Sequence, residues 1–147
     1  MMTAKILLIA IPFIWLGLVG GLSFLEAPLK FTAPGITLEL GLAIGRLVFF
    51  WLNKVELLMA VLWGIGFLIL RPRGKFLMFA GGVIVLILLA QTFWLLPVLD
   101  IRAEAVIAGT EAPGSSAHII YIAVEVVKFI LLPIIGAVTA KQYINGG

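Results

Sequence analysis

Four long apolar runs, at about 6–25, 47–70, 76–97 and 118–140, constrain this chain more than any other feature. Each is bounded by charge or by Pro and Gly, and each is long enough to cross about 30 Å of hydrocarbon at roughly 20 residues per crossing. With no water in the bilayer core, backbone N–H and C=O groups must pair within the segment, so runs of this length and apolarity fold as helices. Of the 147 residues, 63% are hydrophobic and 12% charged, against roughly half and a quarter in a soluble domain. The expected fold is all-α, an integral membrane four-helix bundle in the lipid bilayer. The spans use nearly all of residues 1–147, so a single transmembrane domain is expected.

The connections carry the usual punctuation. Lys5 before an apolar run fits a secretory signal, but no A-x-A-like cleavage site follows, so the first span is expected to be retained. It is rich in small residues (Gly17, Gly20 and Gly21), which let helices approach closely in lipid. The span gives way through Glu26, Pro28 and Lys30 to the turn at Pro34-Gly35. Thr37 with Glu39 starts the next helix, whose pattern continues to Leu70. Arg71, Pro72, Arg73, Gly74 and Lys75 make a tight basic turn. After Pro97, VLDIRAEAVIA reads as a short amphipathic helix between spans 3 and 4, stopped by Gly109, and Ser115 or Ser116 caps span 4.

The net charge of +3 is explained by topology rather than by nucleic acid. With four spans, Lys5, Arg71, Arg73, Lys75 and Lys141 fall on one side without a single acid, which places both termini in the cytoplasm. The opposite side carries a mixed set: Glu26, Lys30, Glu39, Arg46, Asp100, Arg102, Glu104, Glu111 and His118. The bacterial cytoplasmic (inner) membrane is the expected location.

Ionisable groups inside the spans are costly and by default mark a site. His118, Tyr121, Glu125 and Lys128 recur at 3–4–3 spacing, one stripe on a helix. Arg46, Phe49, Asn53, Glu56, Ala60 and Trp63 repeat that spacing on span 2. Counting about 20 residues from each cytoplasmic charge puts Glu56, Gln91 and Glu125 at one level near the outer face, with Lys128 a turn deeper. If the stripes face each other, Glu56 reaches Lys128, and Glu125 reaches Asn53 or Gln91. Two neighbouring carboxylates repel in low dielectric, so a proton, Lys128 or a bound cation must neutralise them. The ligand-binding candidates are Glu56, Glu125, Lys128, Asn53, Gln91, Arg46, His118 and Tyr121. The same residues also fit a purely structural ion pair, and His118 fits an interfacial or capping role. Lys54 lies off the stripe and snorkels outward. Trp51 and Trp94 suit an outer aromatic belt, while Trp15 and Trp63 sit deeper and line a pocket.

Several chemistries lack their residues. There are no cysteines, hence no disulfide, iron–sulfur cluster or thiolate metal site. No Walker or G-x-G-x-x-G pattern appears, and one histidine gives neither a bis-His haem nor a multi-His metal site. No catalytic set and no metal site is singled out.

Taken together, GGLSFLEAPLKF (20–31), GLAIGRLVFFWLNKVE (41–56), LPVLDIRAEAVIAG (96–109) and HIIYIAVEVVK (118–128) resemble the four-helix membrane proteins of unknown function grouped with transmembrane protein 205. In that group a small-residue span ends in a Pro followed by Phe, here Pro28 and Phe31, and a His opens span 4, here His118. The architecture is also similar to CopD-type copper-resistance domains and HemJ-type protoporphyrinogen oxidases, which would imply copper or haem. The chain lacks their intramembrane histidines, and its methionines do not cluster. A remoter likeness is to membrane glutathione transferases, whose R-x6-N-x2-E pattern falls on Arg46, Asn53 and Glu56, with Phe49 where that pattern has a second Arg.

The first expectation is a protein that binds or transports a small solute, cation or proton through the polar layer. Four helices are few for a complete transport machine, so a homo-oligomer or a membrane partner subunit is expected, and no cofactor. The alternatives are a membrane enzyme or cofactor carrier handling a lipophile such as a quinone, a porphyrin (haem) or a glutathione conjugate, or a structural subunit of a larger complex.

Overall fold

The computed structural model describes residues 1–112 and 114–144. Four helices, α1 (Met2–Thr32), α2 (Leu38–Leu70), α3 (Lys75–Ile107) and α4 (Ala117–Ile144), are each long and apolar enough to cross a membrane. No strand occurs among the described residues. Large apolar side chains cover the outside: Leu68, Phe79 and Phe93 are 72%, 71% and 76% exposed. A surface of that kind is stable against hydrocarbon and not against water.

The helix ends follow the local chemistry. Thr37 caps α2 by accepting from the Leu40 N–H at 3.2 Å, with Glu39 in the first turn, where acidic side chains complement the helix dipole. Arg71 ends α2 in the left-handed conformation, its N–H bonded to Phe67 O, and Pro72 prevents the helix from continuing. The Ser115 hydroxyl accepts from the first N–H of α4 at 3.0 Å.

Two wide π turns interrupt the long helices, at Gly20–Glu26 in α1 and Gln91–Leu95 in α3. Both end two residues before a proline, Pro28 and Pro97. Proline has no N–H to return to the carbonyl four residues earlier. The ladder adjusts by lengthening one bond, so that Ala27 N–H reaches Leu22 O and Leu96 N–H reaches Gln91 O. The helix thereby continues through Pro97. The separate amphipathic helix expected after that residue is instead the last three turns of α3, Leu96–Ile107. Gly109, at φ +71°, follows the end of α3 as expected.

α1 packs along both α4 and α2. The core on the half nearer the termini is apolar: Ile11, Trp15 and Val19 of α1 meet Leu77, Ala80, Ile84 and Leu88 of α3, with Leu132 and Ile135 of α4. Gly66 allows the closest approach of α2 to α1, where a Cβ would stand 3.2 Å from the Ala4 carbonyl oxygen. The start of α1, the end of α4 at Ile144 and the 71–74 turn share one end. There Gln142 Nε2 donates to Arg73 O at 2.6 Å, Tyr143 donates to Leu70 O, and Lys5 lies 5.9 Å from the centre of the Tyr143 ring.

Candidate functional site

Six polar side chains from all four helices converge inside the bundle. Lys128 of α4 is the hub. Its ammonium donates to Glu56 Oε1 (2.5 Å) and to Gln91 Oε1 (2.9 Å), and lies 2.6 Å from Glu125 Oε1. An ammonium has three donors, and here each faces an oxygen. Gln91 uses its other end to donate from Nε2 to Glu125 Oε1 at 2.6 Å. From α1, Trp15 Nε1 donates to Glu56 Oε1 at 2.8 Å and the Ser23 hydroxyl donates to Glu125 Oε2 at 2.6 Å. The second oxygen of Glu56 takes no hydrogen bond among the described residues.

Burial is close to complete: Lys128 and Gln91 are 0% exposed, Glu56 and Glu125 1%. The wide turns of α1 and α3 supply Ser23 and Gln91 respectively. Such turns recur at functional sites because the extra residue redirects neighbouring side chains. Glu125 and Lys128 are one turn apart on α4, which explains how both reach the same point.

A second polar contact lies one turn from the cluster toward the loops. Asn53 Nδ2 donates to Thr92 Oγ1 (3.1 Å), and that hydroxyl also lies 2.7 Å from Leu88 O. Beyond it, Tyr121 is buried edge-on against Phe49, with ring centres 5.4 Å apart at 73°. Lys30 sits near the rings of Phe31 and Phe49, at 5.6 and 5.7 Å, and 3.3 Å from Glu26.

The structure thus brings together Glu56, Glu125, Lys128 and Gln91, with Lys128 bridging the two carboxylates. Of the two partners expected for Glu125, Gln91 is bonded to it, and Asn53 is turned to Thr92 instead. Tyr121 lies over the cluster without a hydrogen bond of its own among the described residues. Arg46 stands apart, held in a bidentate pair with Asp100 at 2.6 and 3.0 Å on the exposed surface. His118 is exposed and makes no hydrogen bond or ion pair among the described residues. These two outward placements have one cause. A stripe of fixed spacing continues along the helix beyond the buried layer, so its outermost members end at the surface.

Three members were not anticipated as site partners: Ser23, Thr92 and the Trp15 indole. A simple signal marks the first two, since each is a hydroxyl among few other polar side chains, Ser23 one turn from Glu26 and Thr92 next to Gln91. Trp15 and Trp63 do line a common cavity of about 20 Å³ with Gly81, Ile84 and Leu132. That is room for about one water, and the Trp63 Nε1 buried beside it has no partner among the described residues.

Two carboxylates face one ammonium, so the cluster carries one uncompensated negative charge when all three are ionised. Lys128 occupies the place between the carboxylates that a metal cation would otherwise take. Among the described residues no three His, Cys, Asp or Glu side chains group as metal ligands. No family model, curated protein or solved structure matches this chain.

Proposed function

We propose that the chain binds and passes a small cation, the proton, at the Glu56–Lys128–Glu125 cluster within the membrane. It does so as a homo-oligomer or with a membrane partner subunit. The observation that carries this reading is one ammonium shared by two carboxylates that are each 1% exposed. An unbalanced buried charge costs several kcal/mol, and one proton on either carboxyl removes it. The cluster is filled by its own side chains, so a proton is the cation that fits without rearrangement. The open oxygen of Glu56 is a seat for it.

The five basic groups at the end bearing the termini orient that end to the cytoplasm, in the inner membrane of a bacterium. Glu125 lies 8 residues from the start of α4 and Lys128 lies 16 from its end. At 1.5 Å per residue these are roughly 12 and 24 Å. The site is therefore nearer the outer face, with the apolar core sealing the longer inner path. Passage across that core calls for a motion of the helices or a second subunit.

Reconstitution in liposomes with a trapped pH indicator and an imposed potential tests the proposal. Wild type acidifies or alkalinises the lumen according to the sign of the potential. Glu56→Gln and Glu125→Gln abolish the flux while the proteins stay monodisperse and helical. Wild-type flux in both variants would overturn it.

A further inference from the structure

We infer that Ser23 is the portal through which protons reach the buried cluster. This rests on the proton-binding reading above, and adds a route and a residue to it.

The argument is one of access. Lys128, Gln91, Glu56 and Glu125 are sealed at 0–1% exposure, and the Trp15 indole that bonds Glu56 is 3% exposed. Ser23 is the one half-buried group bonded directly to either carboxylate among the described residues. Between α2 and α4 the way outward is roofed by the Phe49–Tyr121 pair. The next side chains toward the loops on the Ser23 face are Glu26, with 29% of its side chain exposed, and Lys30 at 3.3 Å from it. Charged groups at that position, with Lys30 lying against Phe49 and Gly45 of α2, attract water to within about one turn of Ser23.

The position of Ser23 is built rather than incidental. Its wide turn is clamped to α4 by Phe129, one turn beyond Glu125. The Phe129 ring lies edge-on to Phe24, with centres 5.3 Å apart at 70°, and a Cβ on Gly20 would come within 3.0 Å of it. Contacts on both sides of residue 23 thus hold its hydroxyl 2.6 Å from Glu125 Oε2, within direct proton-transfer distance. The step balances. A proton arriving at Ser23 Oγ from a hydronium on the open side is matched by the hydroxyl's own proton passing to Glu125 Oε2. Ser23 ends as it began, water is left behind, and the cluster becomes neutral.

The test is infrared spectroscopy of the full chain in nanodiscs, following the C=O stretch of a protonated carboxyl and its shift on transfer to D2O. Wild type shows the band, and it weakens in Glu56→Gln or Glu125→Gln. Ser23→Ala keeps the band but slows its isotope shift on the order of a hundredfold, the low end of what a positioned proton-transfer group contributes. Ser23→Thr, which restores a hydroxyl, recovers most of the rate, a rescue that a packing role would not produce. A band that shifts as fast in Ser23→Ala as in wild type would overturn the portal and leave the proton site standing. Absence of any such band in wild type from acid to alkaline pH would overturn both.

Discussion

Lys128 and Glu56, 72 residues apart in sequence, meet across α4 and α2 at 2.5 Å with neither more than 1% exposed. Around that contact the four helices are tied by polar bonds as well as by apolar packing, because α1 adds Trp15 and Ser23 and α3 adds Gln91. In lipid, apolar side chains gain little by leaving hydrocarbon for one another, so hydrogen bonds and close packing specify which helix faces meet. The cluster therefore fixes the register of the bundle whatever else it does. The structural role and the proposed proton binding fall on the same residues, and the two separate by experiment.

Removing the ammonium tests the structural role. Lys128→Met leaves two buried carboxylates without their counter-charge and is expected to cost about 3–5 kcal/mol, read as a fall in unfolding temperature in detergent. Combining it with Glu56→Gln removes one of the stranded charges. The double variant should then be less destabilised than the sum of the single ones, a non-additivity expected only for partners in contact. Additive losses would mean that the pair is not energetically coupled.

Much of this was legible before any coordinates. Apolar run length sets the four helices, since only a helix of that length satisfies its backbone in lipid. The 3–4 spacing of Glu56, Glu125 and Lys128 puts them on faces that meet. Depth counting from the basic residues brings Gln91 to the same level. The wide turns were less legible. Pro28 and Pro97 announce a lost hydrogen bond, but not whether the helix breaks or shifts its ladder by one residue, a choice made by packing against neighbours. The shift before Pro97 makes the expected short helix a continuation of α3, and the separate one before Pro28 contains Ser23. Arg46 and His118 belong to the same stripes but lie outside the buried layer, because spacing gives azimuth on a helix and says nothing of where that layer stops.

The glycines divide by what they touch. Gly66→Leu forces a side chain against the Ala4 carbonyl oxygen and the Leu7 and Leu8 side chains, the nearest within 3.1–3.4 Å of the Cβ. A helix backbone cannot swing aside as a side chain can, so a loss of about 1–3 kcal/mol is expected. Gly41 is also buried, but the atoms nearest to a Cβ there are all of the Phe31 ring, a 42% exposed side chain that can swing outward to make room. The cost of Gly41→Ala should therefore be smaller than that of Gly66→Leu, read as a smaller fall in unfolding temperature. Equal unfolding temperatures for the two variants would contradict this contrast.

Geometry and energy part company at Arg46–Asp100. The pair is bidentate, yet its side chains are 31% and 50% exposed, and ion pairs of that exposure contribute less than about 1 kcal/mol. Asp100→Asn is accordingly expected to shift unfolding only slightly, with the difference from wild type shrinking further in high salt. A loss approaching that of Lys128→Met would mark the pair as part of the site rather than of the surface.

Orientation is open to a direct chemical test because the chain has no cysteine, so any thiol introduced is the only one to react. Thr110, in the connection after α3, and Arg73, in the turn before it, are both exposed, and they lie at opposite ends of that helix. If the basic end faces the cytoplasm, Thr110→Cys is labelled by a membrane-impermeant maleimide in intact cells from which any outer membrane has been stripped. Arg73→Cys is labelled only after the cells are opened. The reverse pattern would put the Glu56–Lys128–Glu125 cluster nearer the cytoplasmic face. On the proton-binding proposal, loading through Ser23 would then be from inside the cell, and the apolar core would become the outer barrier. Labelling of both positions in intact cells would mean that the chain inserts in two orientations. Each copy would then present its loop end, and with it the short path to the cluster, to the opposite side of the membrane.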